Sequence, residues 1–247
     1  MLQLDPTYLP SSDELLGSDD IPVDNEDQNF LPNVLLFVLE SIWKTREDWF
    51  FGVDMGVYHA TGANPRVPVV PDGFLSIGVE RRKNGKSRKS YVLWEENDIP
   101  PALVLEVVSE TPGGEYDRKL NTYAKLGVKY YAIYNPQFWQ RDCHAPLEIY
   151  ALDAGTYGLQ TREPYWMPEI GLGLGRYTPA SDPFGRERLG WFNENSDRYL
   201  TDRERVESER QRAESERQRA ESERQRADRL AEYLRSQGIN PDNLPDA

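Results

Sequence analysis

Glu106 is an acid set inside the apolar run Ala102-Leu103-Val104-Leu105-Glu106-Val107-Val108. A run this short and this rich in β-branched residues predicts a strand buried on both faces, where an ionised side chain is costly unless a cation offsets it. The preceding strand-like stretch, residues 67–75, carries a second acid, Asp72, and the helical segment that follows carries Lys119. Two acids and a base brought together from these places suit metal-assisted phosphodiester chemistry.

The elements that must position them can be read from periodicity and punctuation. Phe30-Leu31-Pro32-Asn33 leads into a helix over 34–44, dense in Val, Leu, Phe and Trp. Residues 49–59 and 67–79 read as strands, separated by the turn-rich Thr61-Gly62-Ala63-Asn64-Pro65. Six cations in nine residues, Arg81, Arg82, Lys83, Lys86, Arg88 and Lys89, surround Asn84-Gly85, which predicts a basic hairpin tip. The strand bearing Glu106 ends at Ser109. A Thr-Pro-Gly-Gly loop then opens a helix over 115–126, which Gly127 stops. Residues 128–134 form a further strand, and 147–152 with 156–161 a hairpin around Asp153-Ala154-Gly155. Gly171-Leu172-Gly173-Leu174-Gly175 lacks the setting of a phosphate-binding loop and reads as a loop or strand edge. The expected fold class is α/β, a mixed β-sheet flanked by helices.

Charge is distributed unevenly along the 247 residues, whose net is −13. Residues 1–30 hold eight acids and no Lys or Arg, which predicts a disordered acidic arm over 1–29 that does not pack. The globular domain is expected over 30–195, a charged helix over 196–238 and a tail over 239–247. Residues 201–237 carry ten acids and ten Arg. Once the arm and tail are set aside, only −3 remains for residues 31–200. Whole-chain acidity therefore argues against tight nonspecific nucleic-acid binding without excluding a local basic surface. A single cysteine, Cys143, excludes an internal disulfide, and His59 and His144 are too few for a Cys/His zinc site, so a metal must be held through oxygen. The apolar stretch 34–39 is too short to span a bilayer, and its acidic flank lacks the positive region of a signal peptide. The expected location is cytoplasmic.

The charged helix repeats Ala-Glu-Ser-Glu-Arg-Gln-Arg from Ala213 and again from Ala220. With Val206, Ala213, Ala220, Ala227 and Leu234 at one heptad position, Glu209, Glu216 and Glu223 fall where a coiled coil needs apolar residues. Arg210 to Glu214 and Arg212 to Glu216 are i,i+4 pairs of a lone solvated helix. A spacer is favoured over a homo-oligomer contact, with Leu230, Tyr233 and Leu234 as the only sticky end.

Pro71-Asp72, then Glu106-Val107-Val108-Ser109, then Lys119 with Tyr123 resembles the PD-(D/E)xK nuclease superfamily. Within it the chain is most similar to the Uma-two family of restriction-endonuclease-like proteins. Gly62-Ala63-Asn64-Pro65, residues 90–96, residues 115–123 and residues 127–136 extend the likeness, which covers about residues 30–170. The resemblance implies a restriction-endonuclease-like core and a Mg2+ ion, or Mn2+, bound by Asp72, Glu106 and the main-chain carbonyl of Val107. Hard cations of this kind prefer carboxylates, carbonyls and water, and one such water can act as nucleophile. The lysine found two residues after the glutamate elsewhere in the superfamily is Val108 here. The resemblance implies that Lys119 on the following helix replaces it, orienting the water and offsetting phosphate charge.

Each residue also has a plainer reading. On it, Glu115 and Lys119 make an i,i+4 surface pair, Asp72 follows a proline as turn acids often do, and Glu106 pairs with a buried Arg or Tyr for structural reasons. Glu40 on the first helix and Asp54 are further acids whose part in a site stays open. The hairpin cations clamp phosphates beside the cleft or serve solubility. The expected function is a metal-dependent endonuclease acting on DNA, with Asp72, Glu106 and Lys119 as catalytic residues. The alternative is a catalytically inactive nuclease-fold module that binds nucleic acid or protein.

Overall fold

In the computed structural model, which describes residues 8–18, 25–61, 64–111, 113–180, 182–238 and 240, the chain divides into two units, Met1–Tyr199 and Leu200–Ala247. The first unit is built on a six-stranded mixed sheet. Its strands are β1 (Trp49–Val53), β3 (Gly73–Ile77), β5 (Leu103–Val107), β6 (Tyr130–Tyr134), β7 (Leu147–Asp153) and β8 (Thr156–Gln160), adjacent in that order. Only β5 and β6 run parallel. Their crossover is a π turn, Glu115–Lys119, that runs into helix α2 (Leu120–Leu126). A parallel pair needs such a crossover, and it places a helix directly above the strand it leaves.

Strand alternation then assigns the faces. Leu103, Leu105 and Val107 of β5 pack in one core with Leu31, Leu35, Val38 and Leu39 of helix α1 (Glu26–Ile42), residues whose spacing forms a single helical stripe. Val104 and Val108 belong to the opposite core with Tyr123 and Leu126 of α2 and Tyr131 and Ile133 of β6. All five residues of β5 are buried, so Glu106 lies on the α2 face of a strand covered on both sides. Gly52 of β1 is required here: a Cβ on it would stand 2.3 Å from the ring of Phe74 on β3.

The first helix begins earlier than its sequence suggests. Asn25 caps it, accepting from the N–H groups of Asp27 and Gln28, and the helix runs through Pro32, which is buried and sets its Cβ against Gly73. The expected unpacked acidic arm is also corrected. Residues 8–18 pack on a small parallel pair, β2 (Val57–Tyr58) and β4 (Tyr91–Val92). Leu15 is buried with Tyr58 and Val92, Trp94 Nε1 donates to the Pro10 carbonyl, and Ser12 donates through both N and Oγ to Glu95. Asp13 and Glu14 stay exposed. One leucine and a few main-chain bonds therefore hold a segment whose acids all face water. The part of the arm over 1–7 and 19–24 lies outside the described residues.

The expected single strand over 49–59 is interrupted at Asp54, whose φ of 47° breaks the extended chain between β1 and β2. Short helix α3 (Trp139–Asp142) links β6 to β7. The Gly-rich stretch at 171–175 is neither a loop nor an edge. It enters β10 (Leu172–Tyr177), the central strand between β9 (Tyr165–Met167) and β11 (Arg188–Phe192). Gly175 lets Pro164 and Phe192 close in, since a Cβ there would lie 2.8 Å from the proline ring. Trp191 Nε1 ties β11 to the Leu35 carbonyl of α1 at 2.9 Å.

The second unit contains helix α4 (Asp202–Ser236), capped by Thr201 with Glu204 in a capping box. None of its residues is buried. Arg212–Glu216 at 3.1 Å and Arg219–Glu223 at 3.3 Å join successive turns along its surface.

Candidate active site

The sheet register brings the two acids together. β3 and β5 pair antiparallel from Leu75 opposite Leu103 to Gly73 opposite Leu105, so one further step sets Asp72 opposite Glu106. Such cross-strand neighbours share a face at close range. Val108, just past β5, donates its N–H to Tyr134 of β6, so by alternation Val107 turns its own main-chain groups toward β3. Pairing with β3 has ended there, and side chains take over. The Val107 N–H donates to Asp72 Oδ2 at 2.6 Å, and the Val107 carbonyl accepts from the Gln28 carboxamide in the first turn of α1 at 3.4 Å.

The helix above supplies the base. Lys119 Nζ lies 2.8 Å from Glu106 Oε2, and Tyr123 donates its hydroxyl to Glu106 Oε1 at 2.6 Å. The i,i+4 pair of Lys119 with Glu115 does not form. Glu115 instead accepts the Gly113 N–H at 3.1 and 3.0 Å through its two oxygens. The π turn accounts for this. Gly114 enters it with φ 80°, and the Lys119 N–H reaches back five residues to the Gly114 carbonyl. A turn wider than α rotates Lys119 from its ideal position on the helix surface.

Burial and charge act together on these groups. Glu106 is 1% exposed, and burial pushes its carboxyl above the ordinary range, while Lys119 and Tyr123 pull it back. Asp72 is pushed up to about 8, first by burial and then by the Glu106 charge, against the Val107 N–H and Lys119. Burial lowers Lys119, but Glu106 and then Asp72 outweigh it and hold the ammonium above its usual value. Two carboxylates thus share one cation. Asp54 adds to the negative side: its N–H donates to the Asp72 carbonyl at 3.2 Å, and its charge raises Asp72 further.

The basic hairpin divides into two sets. Asn84 and Gly85 both have positive φ and form its tip, with Lys83 bridging to Lys86. Arg81 reaches Glu40 at 2.8 Å, Lys83 reaches Glu95 at 3.1 Å, and Arg88 holds Glu96 through Nε at 2.9 Å and Nη2 at 3.0 Å beneath the ring of Phe50. The Arg88 side chain is only 2% exposed. Arg82, Lys86 and Lys89 are exposed. Glu40 is engaged by Arg81 on the exposed side of α1. Gln28 was missed by sequence reasoning, because nothing local marks a polar residue in a helix's first turn as reaching a strand 79 positions away.

A mixed sheet flanked by helices, with a carboxylate pair where β3 and β5 part, defines a restriction-endonuclease-like fold. The chain belongs to the Uma2 family, described as "Putative restriction endonuclease", whose model matches residues 22–176. No curated protein matches the chain. Among the described residues no helix is long and apolar enough to cross a membrane.

Proposed function

We propose that this protein is a Mg2+-dependent endonuclease, also served by Mn2+, that hydrolyses phosphodiester bonds in DNA. The observation that carries the reading is the buried Asp72–Glu106 pair beside one ammonium, two carboxyl groups of which Lys119 offsets one while Asp72 keeps its proton up to about 8. The donor set suits a hard dication. Asp72, Glu106 and the Val107 carbonyl all offer oxygen, and an ion of this kind keeps several waters beside a small set of oxygen ligands; among the described residues no group of three or more His, Cys, Asp and Glu is placed to hold a metal.

Asp72 and Glu106 would hold the ion from adjacent strands, with Val107 supplying a carbonyl from the same turn of chain. A bound dication supplies Lewis acidity and an ordered water in such a site. The chain's residues do the rest. Tyr123 fixes the Glu106 carboxylate, and the Val107 N–H fixes that of Asp72. Lys119 offers the one ammonium at the pair, suited to orienting the attacking water and to offsetting charge on the nonbridging phosphate oxygens. Arg82, Lys86 and Lys89, the hairpin cations left exposed, are assigned to the phosphate backbone.

Purified protein should nick supercoiled plasmid in the presence of Mg2+ or Mn2+, and Glu106→Ala should lose this activity. Equal nicking by the variant would remove Glu106 from the chemistry. DNA binding without cleavage in either protein would favour the inactive binding module.

A further inference from the structure

Lys119 is poised to do more than assist a water. We propose that its ammonium is the site's resident counter-ion, held on Glu106 while no metal is present and driven off it when a divalent cation binds. This rests on the reading of Asp72 and Glu106 as metal-holding groups and specifies how that site is kept before loading.

The two oxygens of Glu106 are treated differently. Oε1 accepts from the neutral, fully buried Tyr123, whereas Oε2 faces the ammonium at 2.8 Å. A cation arriving at Oε2 would meet a like charge within a few ångströms, in surroundings where the Glu106 side chain is buried, and such repulsion is weakly screened. The tyrosine hydroxyl carries no charge and can stay. Lys119 has a way out, since its side chain is 27% exposed and its four-carbon stem is flexible. The neighbouring cation, Arg118, is turned elsewhere and donates to the Gly113 carbonyl at 3.0 Å. Among the described residues Lys119 is therefore the cation at the pair, and it acts on Asp72 as well as on Glu106.

Two consequences of opposite sign follow from one substitution. Lys119→Met should bind metal more tightly while cleaving less. The test is calorimetric titration of the metal-free full chain with Mn2+, at a pH above about 8 where protons on Asp72 compete least. Lys119→Met should show a Kd at least about tenfold below wild type, because a repelling charge has been removed. Lys119→Arg, which keeps the charge, should bind no more tightly than wild type. If Lys119→Met is unfolded in chelator, Mn2+ should restore its fold by replacing the missing charge.

A Kd for Lys119→Met equal to or above that of wild type overturns the counter-ion role and leaves the metal site standing. Failure of that variant to fold even with Mn2+ overturns it too. Absence of Mn2+ binding by the wild type would bring down both the counter-ion role and the assignment of the site.

Discussion

Two of the charged clusters of the first unit differ in a way that separates a structural device from a chemical one. On the hairpin side, Arg88 and Lys83 face Glu96 and Glu95, two cations for two carboxylates, with Ser12 donating to Glu95 as well. Where β3 and β5 part, Asp72 and Glu106 face Lys119 as their one cation among the described residues. Both are largely removed from water. The first is balanced and ties the hairpin and the N-terminal segment to the core, whereas the second has one cation for two carboxyl groups and keeps a proton on Asp72 up to about 8. A buried cluster that keeps a proton for want of a second cation is suited to exchanging it for a cation from solution.

Paired substitutions give the widest separation. Asp72→Asn should weaken Mn2+ binding by at least about a hundredfold in calorimetry, since it removes a charged ligand outright, yet leave the metal-free protein no less stable in urea titration. Arg88→Met should do the reverse. It breaks a buried pair and leaves Glu96 to Lys83 at 3.3 Å, so stability should fall by about 3 kcal/mol at most, with Mn2+ affinity retained in the folded fraction. Stability lost equally in both variants would erase the contrast.

The pH dependence follows from the raised Asp72. A carboxyl with a folded-state value of about 8 is protonated at neutral pH, and metal must displace that proton. Mn2+ affinity should therefore rise about tenfold per pH unit below about 8 and level off above it. By the same linkage, the metal-free fold should lose stability as pH rises from the ordinary aspartate range through about 8. A flat affinity profile between about pH 6 and 8 would contradict the arrangement.

Smaller effects sharpen the picture. Tyr123→Phe removes only the hydroxyl that steadies Glu106, and it should weaken Mn2+ binding by about tenfold, as loss of a partner to a ligand commonly does. Replacing Arg82, Lys86 and Lys89 together with Ala should reduce the slope of log DNA affinity against log salt by about 3 in a binding titration. Stability should change by less than about 0.5 kcal/mol per site, because these side chains are exposed. A large loss of stability would mean that the hairpin cations form one structural set.

Much of this was legible in the chain, and the parts that were not share a cause. The β5 strand announces itself through Val, Leu and one misplaced acid, and α2 through its spacing and the Gly127 stop. The likeness of residues 22–176 to Uma2 agrees with the resemblance read from Pro71-Asp72, Glu106 and Lys119. What escaped depends on distant partners. The acidic segment at 8–18 is held by Tyr58, Val92 and Glu95, far along the chain, and the Gly-rich β10 is a strand because Pro164 and Phe192 need its missing side chains. The direction taken by Lys119 was expected from the resemblance, whereas the turn that sets it there was not legible. An ideal helix would pair it with Glu115, and only the π turn from Gly114 releases it toward Glu106.

The most direct measurement is a crystal structure of the full chain soaked in Mn2+, read from anomalous difference density. A peak bound by Asp72, Glu106 and the Val107 carbonyl, with the Lys119 ammonium moved off Glu106 Oε2, is the predicted result. Absence of a peak there at saturating Mn2+, with Lys119 still seated 2.8 Å from Glu106, would contradict it.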